Sequence, residues 1–161
     1  MRISTSRFGE LEIPDDKIIH MAKPVLGFEN LKKYCLISGD DCEPFLWYQS
    51  VEDPEIAFII VNPVLFYPEY RIEINPKEIE ELKVDDTAAI ETYVIVTVPN
   101  DPPQMSINLQ GPILVNTQNR IAKQLILVNS NYNVRHYIFD GMPETDKKVG
   151  EDFQEKSPLR V

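Results

Sequence analysis

Few side chains in this 161-residue chain have chemistry suited to catalysis or ion binding. They are two histidines, His20 and His136, two cysteines, Cys35 and Cys42, and one dense carboxylate run, Glu52, Asp53 and Glu55. His136 stands between Arg135 and Tyr137 near the start of a strand pattern, and His20 ends the apolar stretch Ile18-Ile19. Isolated histidines like these read as structural or solvent-facing, with a general-base role as the weaker alternative. Cys42 follows Asp40 and Asp41, whose charges raise a thiol's pKa and discourage a reactive thiolate. Cys35 sits in a strand pattern and reads as plain core. The pair lacks Cys-x-x-Cys spacing, and spacing alone leaves a disulfide open. With no export signal at Met1 to Thr5, two free thiols in a reducing cytosol are expected. Pro54 interrupts the carboxylate run, and no calcium-loop pattern accompanies it. A solvated turn is the plainer reading, with protein binding ahead of metal as its competitor. The six glycines are scattered, so no phosphate-cradling loop is present. No catalytic residue, metal site or cofactor is expected.

The elements that must position these residues read mostly as β. Arg7 to Ile13 alternates apolar with polar, the period of a half-buried strand. Tyr34 to Ile37 and Phe45 to Gln49 follow, separated by the turn cluster Ser38 to Asp41. Ala57 to Val61 is short, apolar and β-branched, which suits a strand buried on both faces. Tyr70 to Ile74 alternates again. One helix is predicted: Asn75 caps it, Pro76 takes the first position and Glu78 completes a capping box, with Ile79 and Leu82 on one face. Further strands are predicted over Ala88 to Val98, Met105 to Leu109, Ile113 to Val115, Ile121 to Val128 and Tyr137 to Phe139. Turns fall at Asn100 to Pro103 and at Gly111-Pro112. Short strands at regular spacing and 13 prolines predict a mainly β, single-domain antiparallel barrel or sandwich with one short helix. The domain is expected to span 1–140, and 141–161, where apolar density collapses, to be a mobile charged tail.

Composition limits the partners. Hydrophobic residues are 43% of the chain, enough for a core. The formal net charge of -10 disfavours nucleic-acid phosphates and anionic membranes, and would steer a basic protein toward the surface. The longest apolar runs are too short to cross a bilayer.

Aromatic residues suggest where such a partner would bind. In a strand, neighbours point to opposite faces, so one of Trp47 and Tyr48 is expected outside unless a loop or helix covers it. Outward aromatics ringed by Glu52, Asp53, Glu69 and Glu73 would make an interface for a basic, amphipathic partner. The candidate partner-binding residues are Gln49, Glu52, Asp53, Glu55, Glu69 and Glu73 for the basic partner. Phe45, Tyr48, Phe66 and Tyr70 are the candidates for apolar anchoring. Asn108 and Asn116 read as amides closing turns, and Gly27, Gly111 and Pro112 as backbone-geometry residues.

An ordered set of short motifs resembles the FliW family of flagellar assembly factors. It comprises Phe8-Gly9-Glu10, Leu26-Gly27-Phe28-Glu29, Pro44-Phe45, Gln49 to Asp53, Phe58, Val61-Asn62-Pro63, Asn108-Leu109, Gly111-Pro112-Ile113, Val115-Asn116 and Gln124. The order holds from about Phe8 to Phe139. Pro24 departs from the family's pattern by standing two residues early, before Val25-Leu26-Gly27. The resemblance implies a cytoplasmic, non-enzymatic β-barrel, expected to be a monomer, that binds flagellin and the small basic RNA-binding repressor CsrA. Flagellin and CsrA would compete for it, so that export of flagellin frees the factor to sequester CsrA. The competing expectation is a small-ligand binder or enzyme using a pocket inside the barrel, with Glu52 or His136.

Overall fold

A computed structural model describes residues 1–39, 43–83, 89–100, 104–128 and 130–138, and the backbone of 159–160. Seven strands close a barrel. They are β3 (Ile19–Lys23), β4 (Lys33–Gly39), β5 (Leu46–Ser50), β6 (Ala57–Val61), β7 (Ile90–Thr97), β9 (Ile113–Asn116) and β10 (Ile121–Gln124). Neighbours pair in the order β3-β4-β5-β6-β7-β9-β10, and β10 returns to β3. Strict up-and-down alternation cannot close a ring with an odd number of strands. One pair must run parallel, and it is β3 with β10 (Ile121 beside His20, Ala122 beside Met21). The predicted antiparallel barrel holds apart from this seam.

The strands are buried on both sides, as period-2 alternation permits. One set of alternate residues fills the interior: Ile19 and Met21, Tyr34, Tyr48, Ile60, Ile113 and Val115, and Ala122, with Tyr93 and Ile95 against them. The opposite set, Cys35, Ile37, Trp47, Val61, Val94 and Val96, faces outward into a second core. Its cover comes from a hairpin, β1 (Arg2–Thr5) with β2 (Gly9–Glu12), and from Tyr70, Met105, Leu109 and Ile138. A third cluster, Leu82, Leu114 and Leu125, lies under α1 (Pro76–Glu80) and Ile74.

Several sequence expectations are corrected. β1 was not foreseen, and Arg7 to Ile13 is a turn followed by the short, largely exposed β2. Tyr70 to Ile74 keeps its alternating burial but pairs with no strand, because it packs side chains onto the barrel's outer face. Asn75 caps α1 through Lys77 N–H (3.1 Å), but Glu78 turns to Lys123 instead of completing the capping box. Met105 to Leu109 yields only the two-residue β8 (Ser106–Ile107), paired with β7 and with β11 (His136–Tyr137). Asp101 to Pro103, Phe139 and nearly all of the expected tail lie outside the described residues. Leu159–Arg160 form β12, paired with Gly39 and Ser38 of β4.

β8 and β9 share one edge of β7. Val96 faces Ile107 and Tyr93 faces Ile113, so three steps back along β7 match six steps forward along its partner. Three residues are therefore looped out at the Asn108 to Pro112 segment, which moves the chain from the outer layer into the barrel wall.

Candidate functional site

The turn from Gln49 to Glu55 connects β5 to β6, and four of its polar side chains bond backbone groups, although Gln49 Oε1 is buried without a partner among the described residues. Gln49 is fully buried, and its amide N–H donates to the carbonyls of Ser50 (2.9 Å) and Ile56 (3.1 Å). Ser50 Oγ accepts from the N–H groups of Glu52 (3.1 Å) and Asp53 (2.9 Å). Asp53 Oδ1 accepts from Glu55 N–H (3.0 Å). Glu52, although exposed, accepts through Oε1 from the N–H groups of Lys32 (2.6 Å) and Lys33 (2.8 Å), where the chain enters β4. Its carboxylate thus ties two elements together. Glu55 is exposed and Asp53 half-buried.

The second candidate patch, Phe66 to Glu73, follows β6 where the first precedes it. The five residues of β6 lie between them in the chain, and no hydrogen bond, ion pair or ring contact among the described residues joins the two patches. Glu69 and Glu73 are exposed, while Phe66 is half-buried and stacks on Phe45 at 5.6 Å. The expected aromatic anchors are not surface groups. Phe45 and Tyr48 have no exposure and Tyr70 has 4%. Tyr70 donates its hydroxyl to Leu109 O (2.6 Å) and packs on Tyr132. Trp47 and Tyr48 point to opposite faces as expected, and both are buried because the outer one is covered. The barrel interior takes Tyr48, and the β1–β2 hairpin covers Trp47 with Phe8 (5.7 Å) and Arg7 (4.3 Å).

The remaining chemistry-bearing residues are dispersed. His20 is exposed, and His136 sits edge-on to Tyr67 at 5.1 Å. Cys35 is a buried free thiol whose pKa is pushed up to about 11 by burial, which disfavours the thiolate. Cys42 lies outside the described residues. Among the described residues, no three His, Cys, Asp or Glu side chains gather as a metal site. Inside the barrel, Tyr34 and Tyr48 stack at 4.3 Å, and neither hydroxyl has a hydrogen-bond partner among the described residues. Burial raises both phenol pKa values, that of Tyr34 to about 12 with the charge of Glu52 adding to it.

Motif residues far apart in sequence converge at the looped-out segment. Asn108 Oδ1 accepts from the N–H groups of Gln110 and Gly111 (both 3.0 Å). Gln124 donates to Gly111 O (3.0 Å), and its Oε1 accepts from Leu26 N–H (2.7 Å). A Cβ on Gly111 would lie 3.0 Å from both the Asn108 and Gln124 amide nitrogens, a tight contact that these side chains would have to yield to. Gly27 has φ +92°, which favours glycine, and its N–H donates to Glu29 Oε1 (3.1 Å). Asn116 donates to Leu82 O (3.0 Å) and accepts from Gln118 N–H (2.9 Å). The expected turn-closing roles of Asn108 and Asn116 are what the structure shows.

Sequence reasoning missed Lys123. Its side chain has no exposure and bonds the carboxylate of Glu78 and, at 3.2 Å, that of Glu81. The hydrogen bond from Lys123 holds the Glu78 carboxyl below its ordinary pKa. A lysine within the apolar-flanked run Ile121 to Leu125 was the available signal, since its strand neighbours are core.

These features define a small closed β-barrel with a filled interior, whose polar motif residues fasten loops to the barrel wall. The model of the family described as FliW protein matches residues 2–138. A flagellar assembly factor FliW from Alkaliphilus metalliredigens is 38% identical over 98% of this chain and 96% of its own length. One from Syntrophus aciditrophicus is 39% identical over 86% and 87%. A crystal structure of the flagellar assembly factor FliW superposes with TM-score 0.81 at 31% identity, over 89% of this chain and 99% of that one. The chain belongs to the FliW family of flagellar assembly factors.

Proposed function

We propose that this protein works by binding other proteins: it holds flagellin and, when flagellin is exported, sequesters the basic repressor CsrA so that flagellin mRNA can be translated. The observation that carries the reading is the family match over residues 2–138. Charge supports it, since a protein of net charge -10 attracts a basic regulator and repels RNA. The action is non-enzymatic, chaperone-like and cytoplasmic, and the factor is a monomer. No described helix is long and apolar enough to cross a membrane. The basic partner meets exposed carboxylates, Glu55 before β6 in the chain and Glu69 and Glu73 after it. Apolar anchoring of flagellin falls to half-buried Phe66, because Phe45, Tyr48 and Tyr70 are enclosed. The filled barrel interior gives the small-ligand alternative no support.

Isothermal titration calorimetry with flagellin and CsrA from the same organism tests the reading. Heat is expected with each protein alone, and pre-bound flagellin is expected to suppress the CsrA titration. Silence with both partners overturns the proposal.

A further inference from the structure

One end of β4 projects beyond the ring of strands. β3 pairs with β4 at Lys33 and Tyr34, and β5 pairs with it from Tyr34 to Ile37. The last two residues of β4, Ser38 and Gly39, therefore extend past both neighbours. The segment that meets them is β12, with Leu159 facing Gly39 and Arg160 facing Ser38 in antiparallel register. Among the described residues β12 pairs with no other strand, and the seven-stranded barrel closes without it. Its place on β4 is not a requirement of closure.

A strand end that outruns its neighbours presents N–H and C=O groups in line, which is a template for another strand. β12 shows that this one accepts a strand. Gly39 offers no side chain and Ser38 a small one, so the pairing is read through main-chain groups, as in strand addition generally. A pairing of two residues is held by few hydrogen bonds, and such short pairings open at little cost in free energy. Covalent connection favours it: only the 20 residues 139–158 separate Ile138 from Leu159. Pairing within one chain then competes at an effective concentration on the order of millimolar. A strand from another molecule must bind the edge more tightly than that to replace it. We propose that β12 is an autoinhibitory strand: it fills the end of β4 within its own chain, and an extended segment of a partner protein adds to the same edge only by displacing it. The inference does not rest on the partners named above.

The experiment compares the full chain with a double variant, Leu159→Pro with Arg160→Pro, which removes both strand N–H groups of β12. A blocked hexapeptide with the sequence of residues 156–161 serves as the competing strand, and the same peptide with proline at both strand positions is its control. Amide resonances of Ile37, Ser38 and Gly39 are followed. The double variant is expected to shift these three, to leave those of β9 and β10 in place and to keep its urea midpoint. The hexapeptide is expected to bind the variant about tenfold more tightly than the parent, whose edge is already filled, and to return the three resonances toward their parent positions. The proline control is expected to bind neither.

Unmoved resonances in the double variant would mean that β12 does not occupy the edge, and equal peptide affinity for variant and parent that it does not guard it. Either result overturns the proposal. A lowered urea midpoint would make β12 a structural strand, with the same consequence. Resonances of the variant that move with protein concentration, together with a rise in sedimentation coefficient, would give the edge to a second copy and also overturn it.

Discussion

At the residue scale, the most demanding group is Lys123. A buried ammonium costs several kcal/mol unless it is paired, and here Glu78 and Glu81 pair it from helix α1. Removing the partners leaves the charge stranded, whereas removing the charge does not. Glu78→Gln with Glu81→Gln is therefore expected to cost about 3 kcal/mol in urea melts, and Lys123→Met less than about 1 kcal/mol. The pH dependence has a definite sign. Because the folded pKa of Glu78 is lowered, its contribution is present above the unfolded carboxylate value and is lost as pH falls through the folded one. Glu78→Gln should flatten that acid limb. The Tyr48 hydroxyl presents the reverse case: it is buried without a partner among the described residues, so Tyr48→Phe is expected to leave the melting temperature unchanged or raise it, by up to about 1 kcal/mol in stability. A clear loss of stability would mean that the hydroxyl is satisfied in solution.

At the element scale, long-range side-chain-to-backbone bonds join loops to strands. Gly111 sits where three residues leave the ladder, and a methyl there presses at 3.0 Å on two side-chain amides whose hydrogen bonds limit how far they can yield. Gly111→Ala should destabilise by about 1–3 kcal/mol, with the largest amide shifts at Leu26 and Gln124 in an NMR spectrum. Glu52 links the β5–β6 turn to the start of β4. Glu52→Ala should cost about 1 kcal/mol, and Glu52→Gln, which retains an acceptor, roughly half as much. A fall in partner affinity without loss of stability would instead give Glu52 a direct interface role. Much of this layer was legible in the sequence: the turn at Gln49 to Glu55, the strand over Ala57 to Val61 and the Asn75 cap all stand where periodicity and turn chemistry put them. The strand predicted at Tyr70 to Ile74 fails, because alternation reports two unlike environments and does not supply a pairing partner.

At the scale of the whole molecule, charge is the organising quantity. With a net charge of -10 and Glu55, Glu69 and Glu73 exposed, a basic partner should be steered by the field as well as by individual contacts. Glu69→Lys with Glu73→Lys is expected to weaken CsrA binding about tenfold at low salt and to reduce its salt dependence. Stability should change by less than about 0.5 kcal/mol, as for substitutions of exposed side chains. Stopped-flow association rates at several ionic strengths check this; unchanged rates would move the interface away from Glu69 and Glu73.

The sequence by itself determined the β class, the scarcity of catalytic groupings and the family resemblance, because period-2 alternation, turn residues and ordered motifs are local properties of the chain. It also marked Gly27, Gly111 and Pro112 as residues of backbone geometry and Asn108 as an amide closing a turn. Only the tertiary structure decided that seven strands close with one parallel seam, that Trp47 and Tyr48 are buried on opposite sides of the same wall, and that Glu52 and Gln124 serve distant backbone groups. The physical reason is that alternation distinguishes two faces without saying what covers either. Cover and hydrogen-bond partners come from segments as far as 98 residues away in the chain.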